Sequence, residues 1–573
     1  MKATEARPWL KYADPELLKL EMPRIPVMDF FLELNKTRMD RPGLNYYDRI
    51  ITLREVYENS CITANAFASL DLRRGDLVAV ISPMTPEIVY TFYALGMIGV
   101  VPNMIDPRYS VEGIRDCIKK VNAECVLFID AMYDKVVEAI KGTKVKKAIV
   151  LSPAESLPKL LRFAYLLKNP MKKNLPEGFV SWGEFIEQGR DFKTEYLHDH
   201  SDSCCLIIHT GGTTSRAKSV MLSHDNINAV AFQFYKSLMH NNHSISDKFL
   251  DIMPPFCAYG FGYGIHLPLC TDQVSIIVPK FEQKNFAKLI LKYRPQNLAG
   301  VPAYFLALMN DKRMKNADLS CFLNVGLGGD GISLENEARL NEWMKAHGVK
   351  HPVNKGYGMT ELAATATACY HGVNRPGSVG IPHADYLIAA FDPDTGEELD
   401  IGETGEICIH GPTMMIGYYD DPEKTAKTVR THADGRKWVH TGDRGHLDED
   451  GFVYIEGRIK RVIIRFDGNK CYPEALEEVV NSCEDVLMVC AVGVDDISAP
   501  QGQVPYVFYT LTPGRTKSES EVTAELRELC KQKLPERMQP RYYKMLDEMP
   551  LTPLGKVDFR ALEKKADEAV KGA

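Results

Sequence analysis

Residues 207–219 read IIHTGGTTSRAKS, and how the chain leaves this loop decides the fold. An apolar run from Cys204 to Ile208 leads into glycine and threonine, then into Lys218 and Ser219. Hydroxyls, backbone N–H groups and one ammonium gathered at a turn make an anion site. The string comes within one glycine of the Walker A pattern G-x-x-x-x-G-K-[ST], with Ala217 in place of the second glycine. In that pattern a helix begins at the lysine. Here Val220, Met221 and Leu222 continue as an extended apolar run, and SHDN at 223–226 supplies the N-cap of a later helix. The loop is predicted to join two strands.

Outward from the loop, residues 52–130 alternate helical spacing (TLREVYENSCITANAFASL, PEIVYTFYALGMIG) with strand-like runs (LVAVISP, CVLFID). That alternation predicts a parallel sheet covered by helices, and it returns over 203–345. From about Gly377 short β-like runs are punctuated by the turns PDTGEE, GETGE and DEDG. After Arg458 a small α+β unit follows. The fold class is α/β. A large N-terminal domain is expected over 1–459, with α/β sheets to about 375 and a β-rich part over 376–459. A small domain is expected over 460–573.

At 573 residues the chain is too long for one core. The net charge of −7 excludes a general nucleic-acid binder, which needs a basic face. No uninterrupted apolar run reaches the roughly 18 residues of a membrane span, and the N-terminal residues lack the apolar core of a secretion signal. Fourteen cysteines without C-x-x-C spacing fit reduced thiols in a cytoplasm. One segment runs against the overall charge. SLPKLLRFAYLLKNPMKKN at 156–174 carries five basic residues and no acid, with Leu157, Leu160, Leu161, Ala164 and Tyr165 on one helical face. It reads as a surface helix packed on its own domain or, second, as a peripheral membrane contact through 157–173.

Further strings complete the loop's chemistry: KGYGMTEL at 355–362, HTGDRGHLDEDGFVYIEGR at 440–458 and MPLTPLGKVDFR at 549–560, with GLGGDGIS at 326–333 and RPGSVGIP at 375–382. In this order they resemble the adenylate-forming (AMP-binding) superfamily, whose phosphate loop is similar to Y-T-S-G-T-T-G-x-P-K-G. Thr210, Gly212, Thr213, Thr214 and Lys218 match that loop; Gly211, Ser215, Ala217 and Ser219 depart from it. The resemblance spans about Leu53 to Leu562. It implies two α/β sheets plus a β-barrel, with a small mobile C-terminal lid.

The resemblance also implies roles. ATP would be held by the loop, by Gly329 and Asp330, by Gly356, Tyr357 and Gly358 around adenine, by Thr360 at the α-phosphate, by Asp443 at the ribose, and by Arg458 at the sugar or phosphate. Glu361 and Thr213 would hold Mg²⁺. Lys556 would bridge the acid and the α-phosphate, making Lys556, Thr360 and Glu361 the catalytic set. Lys460 matches the hinge, and Gly468 the glycine beside the channel for coenzyme A.

The implied reaction is ATP- and Mg²⁺-dependent: a carboxylic acid becomes acyl-AMP with loss of pyrophosphate, and coenzyme A then takes the acyl group. Apolar, aromatic strings at 254–269, 299–309 and 361–368 indicate a hydrophobic, fatty-type acid, with Cys257, Tyr259, Gly260, Val301, Ala303, Gly328 and Ala363 as its pocket. Cys257 stands where the family usually has histidine, and Lys355 where an amide residue usually flanks adenine; a lysine cannot accept the adenine amino proton. Competing readings are an acyl-AMP ligase or free-standing adenylation enzyme that loads an acyl carrier protein, and a degenerate nucleotide-binding regulator.

Overall fold

The computed structural model describes every residue except 170–174, 211–217, 239–246, 460, 466–469, 496–501, 553–554 and 572–573. The first sheet runs, by strand, 417–418, 219–223, 204–209, 101–104, 77–81, 125–129, 147–151 and 179–181. Its central strands are parallel, and Leu77–Ile81 and Cys125–Ile129 are wholly apolar. Helices cover both faces, so these strands read as unbroken hydrophobic runs. The 204–209 and 219–223 strands pair antiparallel, with Ile208 opposite Val220. The loop therefore joins two strands, as the sequence predicts. The helix His224–Leu238 follows, its start capped by Asn226 N–H donating to Ser223 Oγ at 3.1 Å.

The second sheet runs 381–382, 367–368, 354–357, 324–327, 297–300, 248–251, 274–277, 42–46 and 49–52. Its middle strands are parallel, so their C-terminal ends open on one edge. In such sheets ligands bind outside that edge. The expected β-barrel is instead a five-stranded antiparallel sheet (387–391, 405–410, 437–447, 429–431 and 453–458) whose pairings do not close among the described residues. The N-terminal residues pack beside it: buried Trp9 joins its core, Lys2 bridges to Asp400, and a side chain at Gly451 would begin 2.8 Å from the Trp9 backbone nitrogen.

Strand pairing changes partners between Arg458 and Ile463, and a small unit follows. It holds the strands 486–495, 503–511 and 542–545 with the helices Pro473–Asn481, Glu519–Lys533 and Phe559–Lys571.

The basic segment forms the helix Lys159–Lys168 without one buried residue. Leu160, Phe163 and Leu167 are 85%, 67% and 68% exposed. Of the expected face, Leu157 and Tyr165 are partly covered while Leu160, Leu161 and Ala164 are exposed, so the first reading, a helix packed on its own domain, holds only at the ends of that face. No helix among the described residues is long and apolar enough to cross a membrane. All fourteen cysteines are free thiols.

Candidate active site

The loop's neck is closed by its own ends. Thr210 N–H donates to the Lys218 carbonyl at 2.9 Å, and Lys218 N–H to Thr210 Oγ1 at 3.3 Å. Gly212, Thr213 and Thr214 lie outside the described residues, as do Lys460 and Gly468. Lys218 Nζ donates to the Tyr418 hydroxyl at 3.0 Å and lies over the Tyr418 ring. That hydroxyl donates onward to Glu361 Oε1 at 2.7 Å, leaving Lys218 and Glu361 4.0 Å apart. Tyr418 reaches this position because its short strand pairs with 219–223, Tyr418 opposite Val220. The motif reading missed it: its place depends on strand pairing far along the chain.

Thr360 and Glu361 are presented by a tight reversal. A side chain at Gly358 would begin 2.0 Å from the Ala364 carbonyl oxygen, and Ala363 holds φ at +54°. Only glycine fits at 358. The reversal buries Glu361 and turns Thr360 to the cavity described below. One strand earlier, the Tyr357 hydroxyl donates to the Asp443 carboxylate. Arg458 Nε lies 2.8 Å from Asp443 Oδ1, and the two residues are direct partners across antiparallel strands. Burial pushes the Asp443 carboxyl upward, against the opposing pull of Arg458 and the Tyr357 hydroxyl.

A single cavity gathers most of the remaining residues. Cys257, Tyr259, Val301, Gly328, Gly329, Gly356, Tyr357, Gly358, Thr360 and Lys556 all line it. Lys556 arrives from the small domain, its Cε 3.6 Å from where a side chain would begin on Gly329. Asp330 stands behind, accepting the Val557 N–H at 3.2 Å. A π-helix, Tyr259–His266, forms one wall, with the Tyr259 and Tyr263 rings stacked at 4.5 Å. Helical segments of this kind recur at functional sites.

Three expected pocket residues do not line this cavity. Gly260 is pressed on the Pro254 carbonyl, where a side chain would begin 2.1 Å from the oxygen. Ala363 is fully buried in the core behind the reversal, and Ala364 faces the cavity in its place. Ala303 sits on the helix Pro302–Met309, part-exposed and turned from the lining.

The two departures resolve differently. Cys257 Sγ is 3.1 Å from the Pro254 carbonyl, and burial pushes the thiol up to about 12, so it stays protonated and is no nucleophile at neutral pH. Lys355 is buried with its Nζ paired to Glu337 and donating to the Arg375 carbonyl at 2.8 Å. Glu337 in turn accepts the Gly377 N–H at 3.1 Å. The ammonium therefore staples the 355 strand to the RPGSVG turn.

Comparison with known proteins follows the same outline. The sequence model of the AMP-binding enzymes matches residues 31–419, and that of the AMP-binding enzyme C-terminal domain matches 475–556. A long-chain-fatty-acid–CoA ligase of Bacillus subtilis (strain 168) is 27% identical over 569 residues, 98% of each chain. A probable 4-coumarate–CoA ligase of Dictyostelium discoideum is 28% identical over 456 residues, 79% of each. Among solved structures, an anthranilate CoA ligase, AuaEII, in complex with anthranoyl-AMP superposes with TM-score 0.80 at 20% identity, over 96% of this chain and 99% of that one. ATP-bound MatB from Rhodopseudomonas palustris gives 0.80 at 22%, over 95% and 99%.

Proposed function

Because the chain belongs to the AMP-binding enzyme family, we propose that it is an acyl-CoA synthetase that activates a hydrophobic carboxylic acid as acyl-AMP and passes the acyl group to coenzyme A. The observation that carries this reading is Lys556. It comes from the far end of the chain, yet lines the same cavity as Tyr357, Thr360 and Gly328–Gly329.

Carboxylate and triphosphate repel, so the catalyst must hold them in line and meet charge as it develops. Lys556 lies where an acid's carboxylate and the α-phosphate would meet, and Thr360 offers a hydroxyl at the same point. Lys218 answers the outer phosphates, and Asp443 with Arg458 the ribose. The Tyr357 hydroxyl now occupied with Asp443 must be exchanged for ribose hydroxyls when the nucleotide binds. Glu361, a buried carboxylate beside a phosphate-loop neck, suits Mg²⁺, a hard cation that takes oxygen ligands and would neutralise phosphate charge. Thr213 is a proposed second ligand.

The 98% coverage of a fatty-acid–CoA ligase and the aromatic and aliphatic part of the cavity wall, with Phe234, Phe249, Tyr259, Tyr263 and Val301, favour a hydrophobic acid. We place the domain boundary at 460, with Lys460 as hinge and Gly468 beside the coenzyme A path. The exposed leucines and phenylalanine of 159–168, among basic residues, support contact with an anionic lipid surface. Loading of an acyl carrier protein is the second reading of the acceptor. The deciding experiment is pyrophosphate release over acids from acetate to stearate and over aryl acids, with and without coenzyme A. Release without thioester formation would transfer the function to carrier-protein loading. No release with any acid would end the reading.

A further inference from the structure

One wall of the cavity carries a row of amides. Asn297 Nδ2 donates to Gln273 Oε1 at 2.9 Å, Asn324 Nδ2 to Asn297 Oδ1 at 2.7 Å, and Asn354 Nδ2 to Asn324 Oδ1 at 3.3 Å. All four side chains belong to residues lining the cavity. The direction of the row is set at its origin. Thr271 Oγ1 spends its one proton on the Leu267 carbonyl at 2.8 Å, so towards Gln273 it can only accept, and it accepts from Nε2 at 2.9 Å. Gln273 must then turn Oε1 to Asn297, and each amide in turn must offer its oxygen to the next donor. A flip of any one would set oxygen against oxygen. The row therefore ends in an acceptor: Asn354 Oδ1 is buried and has no hydrogen-bond partner among the described residues.

The sheet around it is shaped for an occupant. Asn354 is in register with Gly326, which is in register with Ala299. With no side chain on Gly326, the Tyr263 hydroxyl comes to 3.5 Å from where one would begin, and the stacked rings of Tyr259 and Tyr263 line the cavity together with Asn354. Gly329, against which Lys556 lies, is three residues farther along the strand direction than Gly326. At a strand rise near 3.3 Å this places the acceptor about 7–10 Å from the carboxylate position.

We propose that the acid bears a hydrogen-bond donor, a hydroxyl or N–H, about 7–10 Å from its carboxylate, and that Asn354 Oδ1 receives it. Asn354 is then a specificity-determining residue, and a plain alkyl chain is the poorer substrate because it buries this oxygen unpaired. The proposal rests on the carboxylate-activating reading above.

The test uses matched pairs on the full chain: ω-hydroxyheptanoate against heptanoate and para-hydroxycinnamate against cinnamate, by pyrophosphate release and by calorimetric binding. The hydroxylated member is expected to lead by about 10–100-fold in kcat/KM on at least one scaffold, chiefly through KM. Asn354→Leu should bring that ratio to near unity, while Asn354→Asp, which keeps an acceptor, should retain the preference. Equal treatment of both members of both pairs by the unmodified protein would overturn the proposal, with solvent then serving the oxygen. A preference that survives in Asn354→Leu would overturn the assignment to this residue. If no acid of the wider screen turns over, carboxylate activation itself fails; the calorimetric ratios still decide Asn354, equal affinities counting against it.

Discussion

On the proposed function, Lys556 is the residue on which acyl-AMP formation depends. Truncating it to alanine should slow acyl-AMP formation by about 10²–10³, the scale of one lost charge stabiliser in a transition state. Thioester formation from supplied acyl-AMP should be largely spared, and rapid-quench assays of the two steps check both. A fall of equal size in each step would argue against the division of labour. A different residue contributes to the dependence of stability on pH. Asp251 is buried, with one oxygen accepting the Met253 N–H at 3.1 Å and the other without a partner among the described residues, and burial raises its carboxyl to about 8. The native state thus keeps a proton that the unfolded chain releases near the ordinary carboxylate value. Its stabilising contribution is complete below that value and is lost as pH rises towards about 8. Asp251→Asn should therefore gain on the unmodified protein as pH rises from about 5 to 8, by on the order of 4 kcal/mol, and no further above. Urea midpoints across that range measure it; a pH-independent gap would refute it.

At the scale of elements, two segments make opposite predictions. The 358–364 reversal is packed so closely that Gly358→Ala must move the Ala364 carbonyl, 2.0 Å from the added carbon. Adenylation should fall by about 10²-fold, because displacing a positioned group by an ångström has that effect. By contrast the helix Lys159–Lys168 buries no residue. Replacing Leu160, Phe163 and Leu167 together by serine should shift stability by less than about 0.5 kcal/mol per site. Co-sedimentation with anionic vesicles should drop sharply; undiminished binding would remove the lipid contact from the proposal. The sequence reading saw this helix and an apolar stripe, but of that stripe only Leu157 and Tyr165 are partly covered. Periodicity reports which residues share a face and not what lies opposite.

Over the whole molecule, the small domain is seated with Lys556 in the cavity. The seat is made by Asp330 with Val557, by Asn336 Nδ2 donating to the Leu487 carbonyl at 3.2 Å, and by Gly555 against Tyr304. Gly555 has φ of +83°, and a side chain there would begin 2.6 Å from the Tyr304 hydroxyl. Gly555→Ala should thus unseat the domain and lower acyl-AMP formation by about 10²-fold, sparing the thioester step from supplied acyl-AMP. Single-step kinetics on the two half-reactions would show it, and unchanged adenylation would mean that this seat is not the adenylating one.

By itself the sequence determined the strand–loop–strand reading of 204–223, the α/β class and the family, because these rest on local continuation and on ordered motifs: Val220–Leu222 cannot start a helix while remaining an apolar extended run. Asp443 and Arg458 were named from one string, but their pairing across antiparallel strands came from the structure. Tertiary structure alone decided the rest. Tyr418 between Lys218 and Glu361, the burial of Lys355 on Glu337, the exclusion of Gly260, Ala303 and Ala363 from the cavity, and the amide row ending at Asn354 all depend on which strands become neighbours. That pairing brings together residues far apart in the chain, and a polar group's partners, not its type, fix what it is free to bind.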